Sequence, residues 1–285
     1  MNKIVSKTVL TEGVKDITVT SPVIARKRKA GQFIILRINE TGERIPLTIV
    51  DSDPEEGTLR LIFQEVGKTT YALGELEVGD EILDIAGPLG KATHIDNFGT
   101  VVCVGGGIGV APVYPIAKAM KEAGNKVISI IGARSKDLLI LEKEMSLVSD
   151  ELVITTDDGS YGLHGFVTDA LKTLIEKGEK VNLAVAIGPV VMMRAVSNVT
   201  REFDIPTVVS LNSVMVDGTG MCGGCRVSVG SDVRFVCVHG PEFDGHKVDF
   251  NELMSRQSAY IDQEKESMSI YHKCKLDAHF EKGKA

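Results

Sequence analysis

The strongest constraint on the fold is an alternation that begins after Asn97. "TVVCVGGGIGV" is an apolar run passing into glycines, and "APVYPIAKAMKEAG" continues with helical spacing to a stop at Gly124. Then follow "NKVISIIGA", "SKDLLILEKEMSLV", "ELVITTDDG", "GFVTDALKTLIEKG", "NLAVAIGP", "VVMMRAVSNVTREF" and "PTVVSL", which read as strand and helix in turn. Each parallel crossover needs a covering helix, and strands so covered are apolar throughout. The pattern therefore predicts a doubly wound parallel sheet over residues 98–211. The uncharged stretch 98–117 holds five glycines and two prolines, so it reads as strand, loop and helix start rather than a membrane span.

The flanks are different. Residues 1–97 read as short strands, among them "GQFIILRI", "GTLRLIFQEV" and "GDEILDIAGPLG", with no helical segment of useful length. Close-spaced short strands predict a small antiparallel barrel. Residues 212–240 lose regularity and are dominated by Gly and Cys, as expected of a small metal-centred lobe. The tail, 241–285, is polar and partly helical, notably "FNELMSRQSAYIDQEKESM", and is expected to pack on the body or on a partner.

The 285-residue chain has a formal net charge of −7, which disfavours a nucleic-acid surface, and no polybasic run points to an anionic membrane. "MNKIVSKTVLTEGVKD" has no continuous apolar core, so no signal peptide is expected and the compartment reads as cytoplasmic. There, clustered cysteines are better metal ligands than disulfides.

"VGGGIGVAP" places Gly105, Gly106, Gly107, Gly109 and Pro112 between a strand and a helix. Such a loop lets backbone approach a phosphate and aims helix amides at it. Pro112 stands where the dinucleotide fingerprint has its third glycine, and no acidic residue ends the second strand. Two more loops follow predicted strand ends, where open α/β sheets bind ligands. In one, Asp157 and Asp158 are candidates for ribose or amide contacts; N-capping and turn formation are the alternative. In the other, Gly188 and Pro189 would line a nicotinamide cleft with Met192, whose alternative role is core packing.

In the barrel, "ERIPLTI" offers the charge of Arg44, the stiffness of Pro46 and the hydroxyl of Thr48, with Leu47 between them. "EVGKTTYAL" gathers Gly67, Lys68, Thr69 and Thr70, a candidate pyrophosphate cradle. An ordinary barrel turn accounts for the same residues.

The cysteines carry the most specific signal. The spacing is Asp217-x4-Cys222-x2-Cys225-x11-Cys237. Plant-type 2Fe–2S sites start C-x4-C-x2-C and end with a later cysteine. Here Asp217 fills the first slot, and carboxylate oxygen can ligate iron. Two alternatives stay open: His239 as the fourth ligand, and a structural zinc on three thiolates. Cys103 reads as core and Cys274 as a free thiol, and the other histidines, His94, His164, His246, His272 and His279, read mostly as surface.

A small barrel followed by "GGGIGVAP", "DDGSYG" and "GPVVMM" resembles the ferredoxin–NADP reductase superfamily. The resemblance implies FAD on the barrel, with Leu47 and Thr48 in the place of a Tyr-Ser pair beside the flavin. The sequence departs from the pattern at Leu47, which replaces an aromatic residue, and at Arg44, which comes one place early. With "SLNSVMVDGTGMCGGCRV", the whole chain is similar to electron-transfer subunits of dihydroorotate dehydrogenase. It is more similar still to the family of small subunits of sulfide dehydrogenase, or NADH-dependent reduced ferredoxin:NADP+ oxidoreductase. Asp in place of the first Cys separates the latter from the dihydroorotate branch.

That resemblance implies a flavoprotein oxidoreductase subunit with no acid–base catalytic residue, passing electrons from NAD(P)H through FAD to a 2Fe–2S cluster. Flavin belongs between hydride and one-electron chemistry because it can do both. It implies a heterodimer with a larger partner carrying FAD and 4Fe–4S clusters, coupling NADH, NADPH and ferredoxin by electron bifurcation. Arg134 and Lys136 would admit a 2′-phosphate, whereas the family implies NAD(H). A dihydroorotate-type subunit and a nicotinamide-binding module with zinc are the alternatives.

Overall fold

The computed structural model describes residues 2–282, with side chains through residue 271. The expectations for Cys274, His272 and His279 therefore concern side chains outside the described residues.

The chain opens with the hairpin Asn2–Thr11 and Val14–Thr20, turned by Gly13 at φ +69°. Thr58–Gln64 pairs with Val14–Thr20, and the short strands Asp51–Asp53 and Glu81–Ile82 complete a five-stranded antiparallel sheet. A second sheet sets Phe33–Arg37 between Ile45–Thr48 and Asp84–Leu89. Both close on one apolar core that includes Ile17, Ile34, Leu36, Leu59, Leu61 and Phe63. This is the antiparallel barrel.

One expectation fails here. The segment read as helix-free contains the helix Lys68–Glu75, preceded by Gly67 in extended conformation. Eight residues are two turns, too few for a period to stand out. Its start is fixed locally: Thr70 Oγ1 accepts from the amides of Val66 and Gly67, both at 3.0 Å.

The second body is a seven-stranded sheet in the spatial order Leu163–His164, Glu151–Thr156, Lys126–Ala133, Thr100–Gly106, Leu183–Ile187, Thr207–Ser210 and Glu242–Asp244. The first six run parallel. Val110–Glu122 belongs to one apolar cluster, and Val167–Glu176 and Val190–Glu202 to another. Strand order reverses on either side of Thr100–Gly106, the arrangement that opens a ligand crevice at the strands' carboxyl ends.

One local reading needs correction. "SKDLLILEKEMSLV" forms a 3-10 turn, Lys136–Leu138, and a helix, Glu142–Leu147, not one long helix. Leu139 is extended and Leu141 has φ +57°; the break lets Ile140 and Leu141 turn into the core. The tail packs on the body as expected, and its start adds a strand that no pattern announced: Glu242–Asp244 pairs antiparallel with Thr207–Ser210 at the edge of the sheet. Three residues give no periodicity to read.

Between the sheet edge and the barrel lies the Gly/Cys lobe, with the hairpin Arg226–Val229 and Asp232–Phe235 and the turn Val236–His239. Helices Phe250–Gln257 and Ile261–Lys282 follow. The second returns to the barrel, where Tyr271 Oη donates to Glu75 Oε2 at 2.9 Å. Among the described residues no helix is long and apolar enough to cross a membrane.

Candidate functional site

The strand ends of the nucleotide domain and one edge of the barrel enclose a cleft of about 950 Å3, near the upper end for small-molecule sites. Pro46, Leu47, Thr48 and Thr70 line it from the barrel. Gly106, Gly107, Gly109, Pro112, Asp157, Gly188, Pro189 and Met192 line it from the opposite side. Arg44, Gly67, Thr69, Gly105 and Asp158 lie outside its wall.

The glycines are explained by close approach. A methyl on Gly109 would collide with the Ile187 carbonyl and stand 2.7 Å from Gly188 Cα. One on Gly188 would stand 2.8 Å from Met192 Cε, and one on Gly106 would strike the Met192 sulfur. The two loops thus touch backbone to backbone, with Met192 laid over both. Gly105 is structural, since a methyl there would stand 3.0 Å from Val110 Cα. Pro112 sits in the first turn of Val110–Glu122, where a missing N–H costs nothing.

On the barrel wall, Pro46, Leu47 and Thr48 pair with Ile35, Ile34 and Phe33 of the central strand. Behind them the threonines of the expected cradle are engaged within the protein. Thr69 Oγ1 donates to Glu43 at 2.8 Å, and Thr70 Oγ1 donates to the Gly67 carbonyl at 2.9 Å. Open space surrounds Gly67 instead, with no atom within 4 Å of where its Cβ would be. Any anion-binding capacity here comes from backbone at the start of Lys68–Glu75 rather than from hydroxyls. Arg44 is exposed and precedes the strand.

The two aspartates divide. Asp157 faces the cleft. Asp158 closes a turn: its carboxylate accepts from the Ser160 hydroxyl at 2.6 Å and the Ser160 amide at 2.9 Å, which holds it below the usual carboxylate range. Arg134 lines the cleft near Asp157. Lys136 does not; its ammonium lies 5.0 Å from the centre of the Tyr161 ring. The cleft also uses residues no motif announced, including Thr11, Gln64, Thr155, Ser210 and Asn212. Thr155 is buried, and its hydroxyl has no hydrogen-bond partner among the described residues.

The four candidate metal donors stand as two pairs. Cys225 Sγ and Cys237 Sγ are 3.2 Å apart and both are buried. Asp217 Oδ2 accepts from the Cys222 amide at 3.1 Å, and Oδ1 from the Thr219 amide at 2.9 Å. Those donors, Thr219 foremost, hold the Asp217 carboxyl below its ordinary value. Cys222 is exposed. Burial pushes the Cys237 thiol up to about 12, with Cys225 as its neighbour. His239 is turned to another task, its Nδ1 accepting from the Phe235 amide at 2.9 Å. Among the described residues no three such side chains converge on a single metal position. Paired donors suit two irons better than one tetrahedral zinc.

The Cys loop is seated on the barrel. A methyl on Gly218 would stand 2.7 Å from Ile35 Cγ1 and 2.9 Å from Leu89 Cδ1. Phe33, Ile35, Met215, Cys225 and Cys237 belong to one buried cluster. The strand that pairs with Pro46, Leu47 and Thr48 therefore shares a core with the thiol pair.

Known proteins fit this arrangement. Residues 212–249 match the iron–sulfur cluster binding domain of dihydroorotate dehydrogenase B, and residues 103–198 match the oxidoreductase NAD-binding domain. The chain is 48% identical over 273 residues to the dihydroorotate dehydrogenase B (NAD(+)) electron transfer subunit homolog of Thermotoga maritima, covering 96% of both chains. It is 33% identical over 254 residues to the dihydroorotate dehydrogenase B (NAD(+)) electron transfer subunit of Geobacillus thermodenitrificans, covering 86% of this chain and 96% of the relative. A solved chain from the NADH-dependent reduced ferredoxin-NADP oxidoreductase, studied for flavin-based electron bifurcation, superposes with a TM-score of 0.91 at 48% identity, covering 95% of this chain and 98% of that one.

Proposed function

Because this chain belongs to the family of dihydroorotate dehydrogenase B-type electron-transfer subunits, we propose that it carries electrons between NAD(H) and a larger flavoprotein partner. Its cofactors are NAD(H), FAD and a 2Fe–2S cluster. Bound flavin supplies the conversion between two-electron hydride chemistry and one-electron transfer to the iron–sulfur centre.

The protein's own residues bind and orient. Gly106, Gly107 and Gly109 would take the dinucleotide phosphates on backbone, and Asp157 a ribose. Gly188, Pro189 and Met192 would hold the nicotinamide toward the barrel, where Leu47 and Thr48 would meet the flavin. Pro46 stiffens that strand. The first-turn amides of Lys68 and Thr69, reached through the space left by Gly67, would receive the pyrophosphate, with the Thr69 and Thr70 hydroxyls shaping the turn. Arg44 is assigned no contact. Proximity of two stacked rings is what hydride transfer requires, and no proton-transfer residue is needed for it. Asp217, Cys222, Cys225 and Cys237 would hold the cluster, with Cys222 toward solvent.

The observation that carries this reading is the shared core of Ile35, Cys225 and Cys237. The thiol pair thus shares an apolar core with the strand that backs the proposed flavin wall, which supports an electron path between the two. The partner we propose is a flavoprotein with FAD and 4Fe–4S centres, acting with NADH, NADPH and ferredoxin in the cytoplasm. Asp217 in the first ligand slot favours this over an orotate-forming partner. Stepwise addition of NADH to anaerobic protein tests the reading: flavin absorbance is lost and a reduced-cluster EPR signal rises. Bleaching with no such signal contradicts it.

A further inference from the structure

Glu242 stands where the barrel, the nucleotide sheet and the Cys lobe meet, and none of the roles above uses it. It pairs with Ser210, a residue of the cleft wall. Five positions before it is Cys237. Between the two, the Gly240 carbonyl accepts from the Lys91 amide, where the chain leaves the barrel. On that same exit segment, Thr93 Oγ1 donates to Glu242 Oε1. A methyl on Gly31 would stand 2.5 Å from the same oxygen. Gly31 leads into Phe33, which pairs with Thr48. One carboxyl thus lies against the barrel on two segments, on the strand that follows the thiol pair, one strand away from the cleft wall.

Its surroundings leave a charge there uncompensated. Burial dominates, and Thr93 is the one hydrogen-bond donor acting on it among the described residues; together they set the carboxyl at about 7. The Cys103 thiol, on Thr100–Gly106, lies within its field. Ser210 and Gly31 bring no charge, and no cation among the described residues pairs with it.

We infer that Glu242 binds one proton when an electron settles on the flavin–cluster relay and releases it when the electron leaves, a role that rests on the electron-transfer reading above. The electron comes from NADH and the proton from solvent, since Glu242 is only partly buried by area. Only a carboxyl O–H bond forms or breaks. Five residues of chain span at most about 17 Å, so the relay's added negative charge is close. At that range in a protein interior, one unit charge changes an acid constant on the order of severalfold. A carboxyl already balanced between its two forms responds most.

The test is the pH dependence of the cluster's midpoint potential, read by EPR in the complex between pH 6 and 8. Wild type should show a bend near pH 7, and Glu242→Gln should lose it. Thr93→Val, which removes the donor that favours the anion, should move the bend to higher pH, and this arm serves even where the Gln variant does not assemble. The same bend in Glu242→Gln as in wild type overturns the inference, as does an unmoved bend in Thr93→Val or a wild-type potential that is flat with pH. Absence of any cluster signal in wild type would instead defeat the electron-transfer reading itself.

Discussion

Cys225 and Cys237 are separated by eleven residues, yet their sulfurs lie 3.2 Å apart. The hairpin Arg226–Val229 and Asp232–Phe235 performs that closure, with Arg226 paired to Phe235. The Val236 amide then donates to the Cys225 carbonyl at 3.1 Å. The pair is therefore brought together by ordinary backbone pairing. Replacing either cysteine by serine should leave the fold intact by circular dichroism and remove iron from the purified protein. Full iron retention in both variants would contradict the assignment.

Asp217 makes a different prediction. Asp217→Cys restores the all-thiolate spacing and should keep a cluster with a shifted EPR signal, because a softer donor replaces a hard one. Asp217→Ala should lose the cluster or load it poorly. An unshifted signal in the Cys variant points to another ligand.

Gly109 tests the contact between the two nucleotide loops. Gly109→Ala places a methyl against the backbone of Ile187 and Gly188, and backbone cannot step aside cheaply. The expected cost is about 1–3 kcal/mol in stability, with NADH affinity reduced at least about tenfold. Calorimetry and fluorescence titration read the two effects separately.

Asp157 and Arg134 share the cleft wall. Asp157→Ala should weaken NADH binding by about tenfold, the usual worth of a hydrogen bond to a charged group. It should also improve NADPH relative to NADH, because a like charge near the 2′-phosphate is gone and Arg134 remains. Parallel titrations with the two nucleotides check this, and an unchanged ratio counts against a ribose role.

Glu242 links stability to pH. Its carboxyl moves from an ordinary 4.5 to about 7 in the folded protein. The folded state therefore holds the proton that the unfolded chain gives up. Stability from this group is full below pH 4.5 and falls as pH rises to 7, by on the order of 3 kcal/mol. Glu242→Gln should flatten that decline in urea titrations, gaining most over wild type above pH 7.

The alternation after Asn97 was legible because strand and helix there each run long enough to show a period, and the glycine loop marks the join. The cysteine spacing was legible because ligand distance along the chain is a property of sequence. Other features were settled only in space. Lys68–Glu75 is two turns, and Glu242–Asp244 is a strand only because Thr207–Ser210 lies beside it. Asp157 and Asp158 are adjacent and alike in sequence; Ser160 decides which of them is a turn residue. Thr69 has the chemistry of a phosphate ligand, and only the fold brings Glu43 across from it to take its hydroxyl.

Chemical analysis of iron and acid-labile sulfide in anaerobically purified protein tests the central claim most directly. Two irons and two sulfides per chain are predicted, with zinc absent. One zinc per chain and no sulfide would contradict the account, because the electron path would then have no acceptor beyond the flavin.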